Sequence, residues 1–330
     1  MSGPAGKPLP LGEFGRIARF FAPLAAGAPG ALGLTDDAAL VECPPGERLV
    51  VTVDAMVEGV HFLAQDPPDL VARKLVRVNL SDLAAMAARP VGYFLTTALP
   101  RSRGDDWLAG FAAGLAEDQA EFGIVLLGGD SVSTPGPISL TLTAFGRVAV
   151  GAEVRRGGAR PGDLVFVSGT IGDGALGLDA AQGKLDGLLA PADVAFLADR
   201  YRLPRPRVGL GPRLSDLAGA MMDVSDGLVG DLGHICEVSG VAGVIEAARV
   251  PLSAAAALLP DRLPAMLTGG DDYELLFTAP PEGESAIRAA ADAAQVPVTV
   301  IGRIEAGQGV RVLDPTGQDM PLAGVGWRHF

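Results

Sequence analysis

Aspartates set beside glycines, or at the ends of apolar stretches, are the residues of this chain best suited to chemistry. Asp36 and Asp37 follow the Gly-rich segment Gly30 to Gly33, Asp54 closes an apolar run, Asp82 sits inside one, and Asp130 follows Gly128-Gly129. Asp223 and Asp226 bracket Ser225, while Asp271 and Asp272 follow Gly269-Gly270. A carboxylate withdrawn from water is costly, so several arriving at strand ends require a shared counter-charge. Hard divalent cations with oxygen ligands meet that need. Magnesium takes a few carboxylates together with waters and phosphates. The adjoining glycines let backbone N–H groups approach phosphate oxygens. Each acid singly also reads as a turn or helix-cap residue. The set taken together points to a metal–phosphate site.

Other catalytic designs do not fit. The chain has neither a G-x-x-x-x-G-K-[ST] phosphate loop nor the paired H-R-D and D-F-G signatures of protein kinases. Gly169, Gly172, Gly174 and Gly177 superficially suggest a dinucleotide loop, yet their spacing fits a plain strand-to-helix turn. His61, His234 and His329 are too scattered for a metal cluster or a Ser-His-Asp triad. His234, on a helical pattern, reads as structural. His61, just beyond Asp54, reads equally as structural or as a site residue. Cys43 and Cys236 stand far apart without a C-x-x-C pattern, which argues for a reducing cytoplasm, against a zinc site, and for small core residues.

The elements that must position these acids follow from periodicity. Helical patterns cover 13–26, 69–88, 105–122, 192–201, 208–217, 228–239 and 284–294, with another from the 169–174 turn through Gln182. Strands are expected at 48–53, 93–99, 124–127, 138–148, 164–168, 220–224, 273–278 and 298–303. Helices and strands mix in both halves about a turn at 157–162, so the fold class is α+β (mixed α/β) with two domains, 1–150 and 151–330. At 330 residues, two domains are the better expectation. Ser81-Asp82 precedes Gly128-Gly129-Asp130 much as Ser225-Asp226 precedes Gly269-Gly270-Asp271, either by chance or by structural duplication. A net charge of −13 excludes nucleic acid or an anionic membrane surface as an expected partner. No apolar run is long enough for a membrane helix, and residues 1–11 lack a signal-peptide pattern.

Taken in order, the segments resemble the thiamine-monophosphate kinase family. The matching runs include Asp36-Asp37-Ala38, Asp54 followed by Glu58-Gly59-Val60-His61-Phe62, Val78-Asn79-Leu80-Ser81-Asp82-Leu83-Ala84-Ala85-Met86, and Gly128-Gly129-Asp130. Arg156, Asp223-Val224-Ser225-Asp226-Gly227, Gly269-Gly270-Asp271-Asp272-Tyr273-Glu274-Leu275 and the closing Gly326-Trp327-Arg328-His329-Phe330 continue them. The resemblance implies the two-domain architecture of the aminoimidazole ribonucleotide synthetase-like superfamily. Its N-terminal domains pair in a homodimer, and ATP lies between the two domains. It further implies magnesium at Asp37, Asp54, Asp82, Asp130, Asp223 and Asp226, with Asp54, Asp82 and Asp130 as the catalytic set. Gly129, Asp130, Arg156 and Ser225 match ATP-contacting positions; His61, Asp271 and Trp327 match contacts to thiamine monophosphate. The implied reaction is γ-phosphoryl transfer from ATP to thiamine monophosphate in the cytoplasm.

Three positions depart from the family pattern. Thr35 stands where a glycine is usual, Val53 replaces the hydroxyl residue before Asp54, and Asp271 replaces a glutamate. Two alternatives remain open at this point. One is a kinase or synthetase of the same superfamily with a different acceptor, and the other a non-enzymatic regulator that binds magnesium and nucleotide.

Overall fold

The structure, a computed structural model, describes residues 12–322, 324 and 326. Trp327 and His329 lie outside the described residues, as do residues 1–11. The elements in chain order are the short helices α1 (Glu13–Arg16) and α2 (Ala22–Ala25), β1 (Glu47–Val57), α3 (Pro68–Ala85), β2 (Arg89–Pro100) and α4 (Asp105–Phe122). There follow β3 (Val125–Thr134), β4 (Ser139–Ala149), β5 (Leu164–Ser168), α5 (Asp173–Ala181), α6 (Pro191–Arg202), β6 (Ala220–Asp223) and α7 (Leu228–Ser239). The chain continues through β7 (Ala242–Glu246), α8 (Leu263–Thr268), β8 (Leu275–Ala279), α9 (Glu284–Ala294), β9 (Val298–Glu305) and β10 (Gly309–Leu313). Mixed α/β composition is therefore observed. Among the described residues no helix is long and apolar enough to cross a membrane.

Two compact units result. One takes the chain up to Glu42, then Val53–Val76 and Val91–Ala144; the other takes Cys43–Thr52, Arg77–Pro90 and the chain from Phe145 onward. In the first unit β2 and β3 pair in parallel, with Leu95 opposite Gly129 and Thr96 opposite Asp130. They belong to a four-stranded sheet of order β1-β4-β2-β3. Arg73 of α3 binds the fully buried Asp118 of α4 at 2.8 Å, fixing one helix against the other through a charge-assisted bond.

The second unit is built on a six-stranded sheet of order β10-β7-β9-β5-β8-β6. Its central strand β5 is apolar on both faces, as a strand covered on both sides must be. Val165 and Val167 face Leu228, Leu232 and Ile235 of α7. Phe166 faces the other way, with Ile287 of α9, and stacks on Phe277 at 5.1 Å between ring centroids. Period-two alternation thus makes two cores from one strand.

Several expectations need correction. The helix expected over 13–26 is two short α turns joined by a π segment at Ile17–Phe21. Pro23 has no N–H to return to the carbonyl of Arg19, so the regular ladder cannot continue there. The helix expected at 208–217 is only a 3-10 turn, Gly211–Leu214. Asp54 and Asp130 lie inside β1 and β3 rather than at strand ends. The short elements β7, α8 and β10 went unforeseen. Of the two cysteines expected in the core, Cys236 is buried but Cys43 is exposed.

Candidate active site

In the first unit a cavity of about 160 Å³ is lined by Asp36, Asp37, Thr97, Gly129, Asp130 and Ser131, with Phe21 and Leu126 among its apolar neighbours. Gly129 is required by space: a Cβ there would stand 1.8 Å from the backbone oxygen of Leu95 on the paired strand. The bare backbone leaves an open, polar strip next to the Asp130 carboxylate. The Ser131 N–H donates to Asp130 Oδ1 at 2.8 Å, and the hydroxyls of Thr97 and Ser131 lie 2.9 Å apart. Asp36 and Asp37 are exposed. Thr35, the residue that departs from the family glycine, has φ −113°, a backbone geometry open to any side chain.

Asp54 is half-buried on β1, and the loop after that strand carries His61. The Val57 N–H donates to His61 Nδ1 at 3.1 Å, which makes Nδ1 the acceptor and leaves Nε2 to carry the proton of the neutral ring. Buried Lys74 donates to the His61 carbonyl at 3.0 Å. The loop therefore holds His61 in the tautomer that carries its proton on Nε2.

The second unit holds the remaining residues. Thr52 Oγ1 donates to Asp82 Oδ2 at 2.5 Å, and Asp82 lies on α3. Burial pushes the Asp82 carboxyl above its ordinary range, against the Thr52 hydrogen bond and the charge of Arg156, which lower it. Arg156 itself is exposed. Asp223 ends β6 in the buried core, and Ser225 and Asp226 follow in the turn before α7. Asp231 Oδ2 accepts the N–H groups of Asp226 and Gly227, each at 3.1 Å. Burial, then the charge of Asp226, raises the Asp231 carboxyl to about 7. Asp271 is tied to the same turn through its N–H, which donates to the Ser225 carbonyl at 2.9 Å.

Among the described residues, no group of three or more His, Cys, Asp or Glu side chains is gathered as a metal site. Magnesium does not demand such a group, because waters and substrate phosphates supply most of its ligands. The residues fit it on chemistry. The expected ligands are all carboxylates, and Asp82 is half-buried with a raised pKa, a state that a nearby cation would relieve.

Sequence reasoning missed Thr52. The available signal was strand periodicity, since Thr52 lies two residues before Asp54 on β1 and so shares its face. Val53, whose missing hydroxyl was the noted departure, is 59% exposed and on the opposite face of the strand. Thr97 and Ser131 were also missed as cavity residues, whereas Asp36, singled out with Asp37 in the sequence, does line the cavity.

The chain matches known proteins along most of its length. Residues 35–148 match the model of AIR synthase related protein, N-terminal domain, and residues 160–314 match the corresponding C-terminal domain. The thiamine-monophosphate kinase of Caulobacter vibrioides is 46% identical over 97% of this chain and 91% of its own length. The crystal structure of thiamine-monophosphate kinase from Stenotrophomonas maltophilia K279a superposes with a TM-score of 0.84 at 41% identity, covering 94% of this chain and 98% of that one. AaThiL, solved complexed with AMPPCP and TMP, is similar with a TM-score of 0.75 at 31% identity, covering 97% of both chains. With identity this high along nearly its whole length, the chain belongs to the thiamine-monophosphate kinase family.

Proposed function

We propose that this protein is a thiamine-monophosphate kinase, transferring the γ-phosphoryl group of ATP to the phosphate of thiamine monophosphate to form thiamine diphosphate and ADP. The observation that carries this reading is likeness along 97% of both chains to AaThiL, whose structure holds AMPPCP and TMP. The acceptor oxygen is already ionised near neutral pH, so the reaction needs no dedicated general base. One bond forms from that oxygen to the γ-phosphorus as the bond from γ-phosphorus to the β-bridging oxygen breaks.

The obstacle is charge. A single pair of like unit charges at about 4 Å repels by roughly 4 kcal/mol at an effective dielectric near 20. Positioning and neutralisation are accordingly the main tasks of the protein. Magnesium, when bound, supplies positive charge between the phosphate groups. Asp54, Asp82 and Asp130 would hold it, with Asp37, Asp223 and Asp226 completing the set. Gly129 exposes backbone to the nucleotide beside Asp130, Arg156 contributes a fixed positive charge, and Ser225 a hydroxyl. His61, Asp271 and Trp327 contact the acceptor. The reading also includes a homodimer formed by the N-terminal domain of 1–150, a C-terminal domain of 151–330, and a cytoplasmic setting in keeping with two free cysteines.

Incubation with ATP, magnesium and thiamine monophosphate, followed by chromatography, is expected to show thiamine diphosphate. Asp54→Asn and Asp130→Asn should each abolish turnover while circular dichroism stays unchanged. Near-normal activity of either variant at limiting magnesium would defeat the metal assignment.

A further inference from the structure

The segment 269–274 is the most constrained backbone near the candidate residues of the second unit. Asp271 has φ +72° and Tyr273 φ +52°, two of the few non-glycine residues in the left-handed region. Such geometry persists only where surrounding structure imposes it, and it concentrates at functional sites.

The imposing contacts can be named. Asp272 is buried, and its carboxylate accepts the N–H groups of Gly172 at 2.7 Å and Gly174 at 2.9 Å, at the start of α5. Glu274 is fully buried and bound by Ser168 at 2.6 Å, by Arg200 at 3.2 Å and by Arg207. On the backbone, the N–H groups of Asp271 and Tyr273 donate to the carbonyls of Ser225 and Val224 at 2.9 and 2.8 Å. A Cβ at Gly270 would stand 2.2 Å from the Ser225 oxygen, so the two segments lie in direct backbone contact.

The alternate residues, Asp272 and Glu274, are therefore anchored inward. Asp271 and Tyr273 remain half-buried, and the Tyr273 hydroxyl donates to Asp271 Oδ1 at 3.2 Å. We infer that Tyr273 is a positioning residue for the acceptor: its phenol holds the Asp271 carboxylate in one orientation on a backbone already locked to the Ser225 turn. This rests on the reading of Asp271 as a contact to thiamine monophosphate. The chemistry suits it, because the thiazolium ring of that substrate is a cation and an oriented carboxylate meets it without a further ordering cost. It also suits the departure at this position. Asp271 is one methylene shorter than the usual glutamate, so it has less reach and depends more on being aimed.

The test compares Tyr273→Phe, Asp271→Asn and the double variant by steady-state kinetics with thiamine monophosphate and ATP varied separately. Tyr273→Phe keeps the ring and removes only the hydroxyl, so its thermal midpoint should match the parent. Its KM for thiamine monophosphate is expected to rise threefold or more, with kcat and the KM for ATP within twofold of the parent. In the Asp271→Asn background the same change should add nothing. A Tyr273→Phe enzyme with parental KM, alongside an Asp271→Asn enzyme with raised KM, overturns the positioning role while leaving the Asp271 contact intact. Equal effects of Tyr273→Phe in both backgrounds overturn it as well. Parental KM in Asp271→Asn removes the Asp271 contact itself, and the inference with it.

Discussion

Thr52 shows how one hydroxyl organises an acidic site at the residue scale. Asp82 sits on a helix in a half-buried setting that resists ionisation, and Thr52 answers one of its oxygens at 2.5 Å. With that oxygen held, the carboxylate has a defined direction before any cation arrives, the same service that hydrogen-bonding partners give to ligands at metal centres. Thr52→Val keeps the β-branched shape that suits a strand and removes only the donor. Turnover at limiting magnesium is expected to fall on the order of tenfold, with partial recovery at saturating magnesium. Parental magnesium dependence in that variant would show that Thr52 does not orient Asp82.

At the element scale, the parallel pairing of β2 with β3 places Gly129 against the backbone of Leu95. No side chain fits between them. Gly129→Ala must part the paired strands, and overpacking of this kind costs about 1–3 kcal/mol or more. The expected outcome is a lowered thermal midpoint together with loss of nucleotide binding by calorimetry. An alanine variant that binds ATP with parental affinity would mean the glycine is there for folding alone. The π segment at Ile17–Phe21 contributes to the same cavity, whose lining includes Ile17 and the buried Phe21.

On the scale of the whole molecule, burial sorts chemically identical groups into different roles. Cys236 lies in the core between α7 and the six-stranded sheet, where desolvation pushes its thiol up to about 11. Cys43 is exposed. The thiolate is the reactive form, and raising a thiol pKa keeps that form scarce until pH climbs through the raised value. In the native protein at pH 8, an aromatic disulfide reagent is therefore expected to titrate one thiol quickly, and both only in denaturant. Two fast thiols under native conditions would show that this core opens readily.

Much was legible in the chain because local chemistry decides it. Glycine next to aspartate marks a place where backbone and carboxylate are both offered, so the candidate acids could be picked out before any coordinates. The long helices α3, α4 and α7 and the apolar strand β5 declare themselves through periodicity. Tertiary structure decided the rest. The five-residue strands β7 and β10, one containing Gly243 and the other starting at Gly309, have too little pattern of their own; they are strands because they pair with each other and β7 pairs with β9. Thr52 became a partner of Asp82 only when a strand and a helix were brought together. Asp272 and Glu274 carry the same carboxyl group as Asp271, and it is their anchors at the start of α5, Arg200 and Arg207 that hold them inward. Residue type states what a group is able to do, whereas distance and burial, set by distant parts of the chain, choose which of those abilities is used.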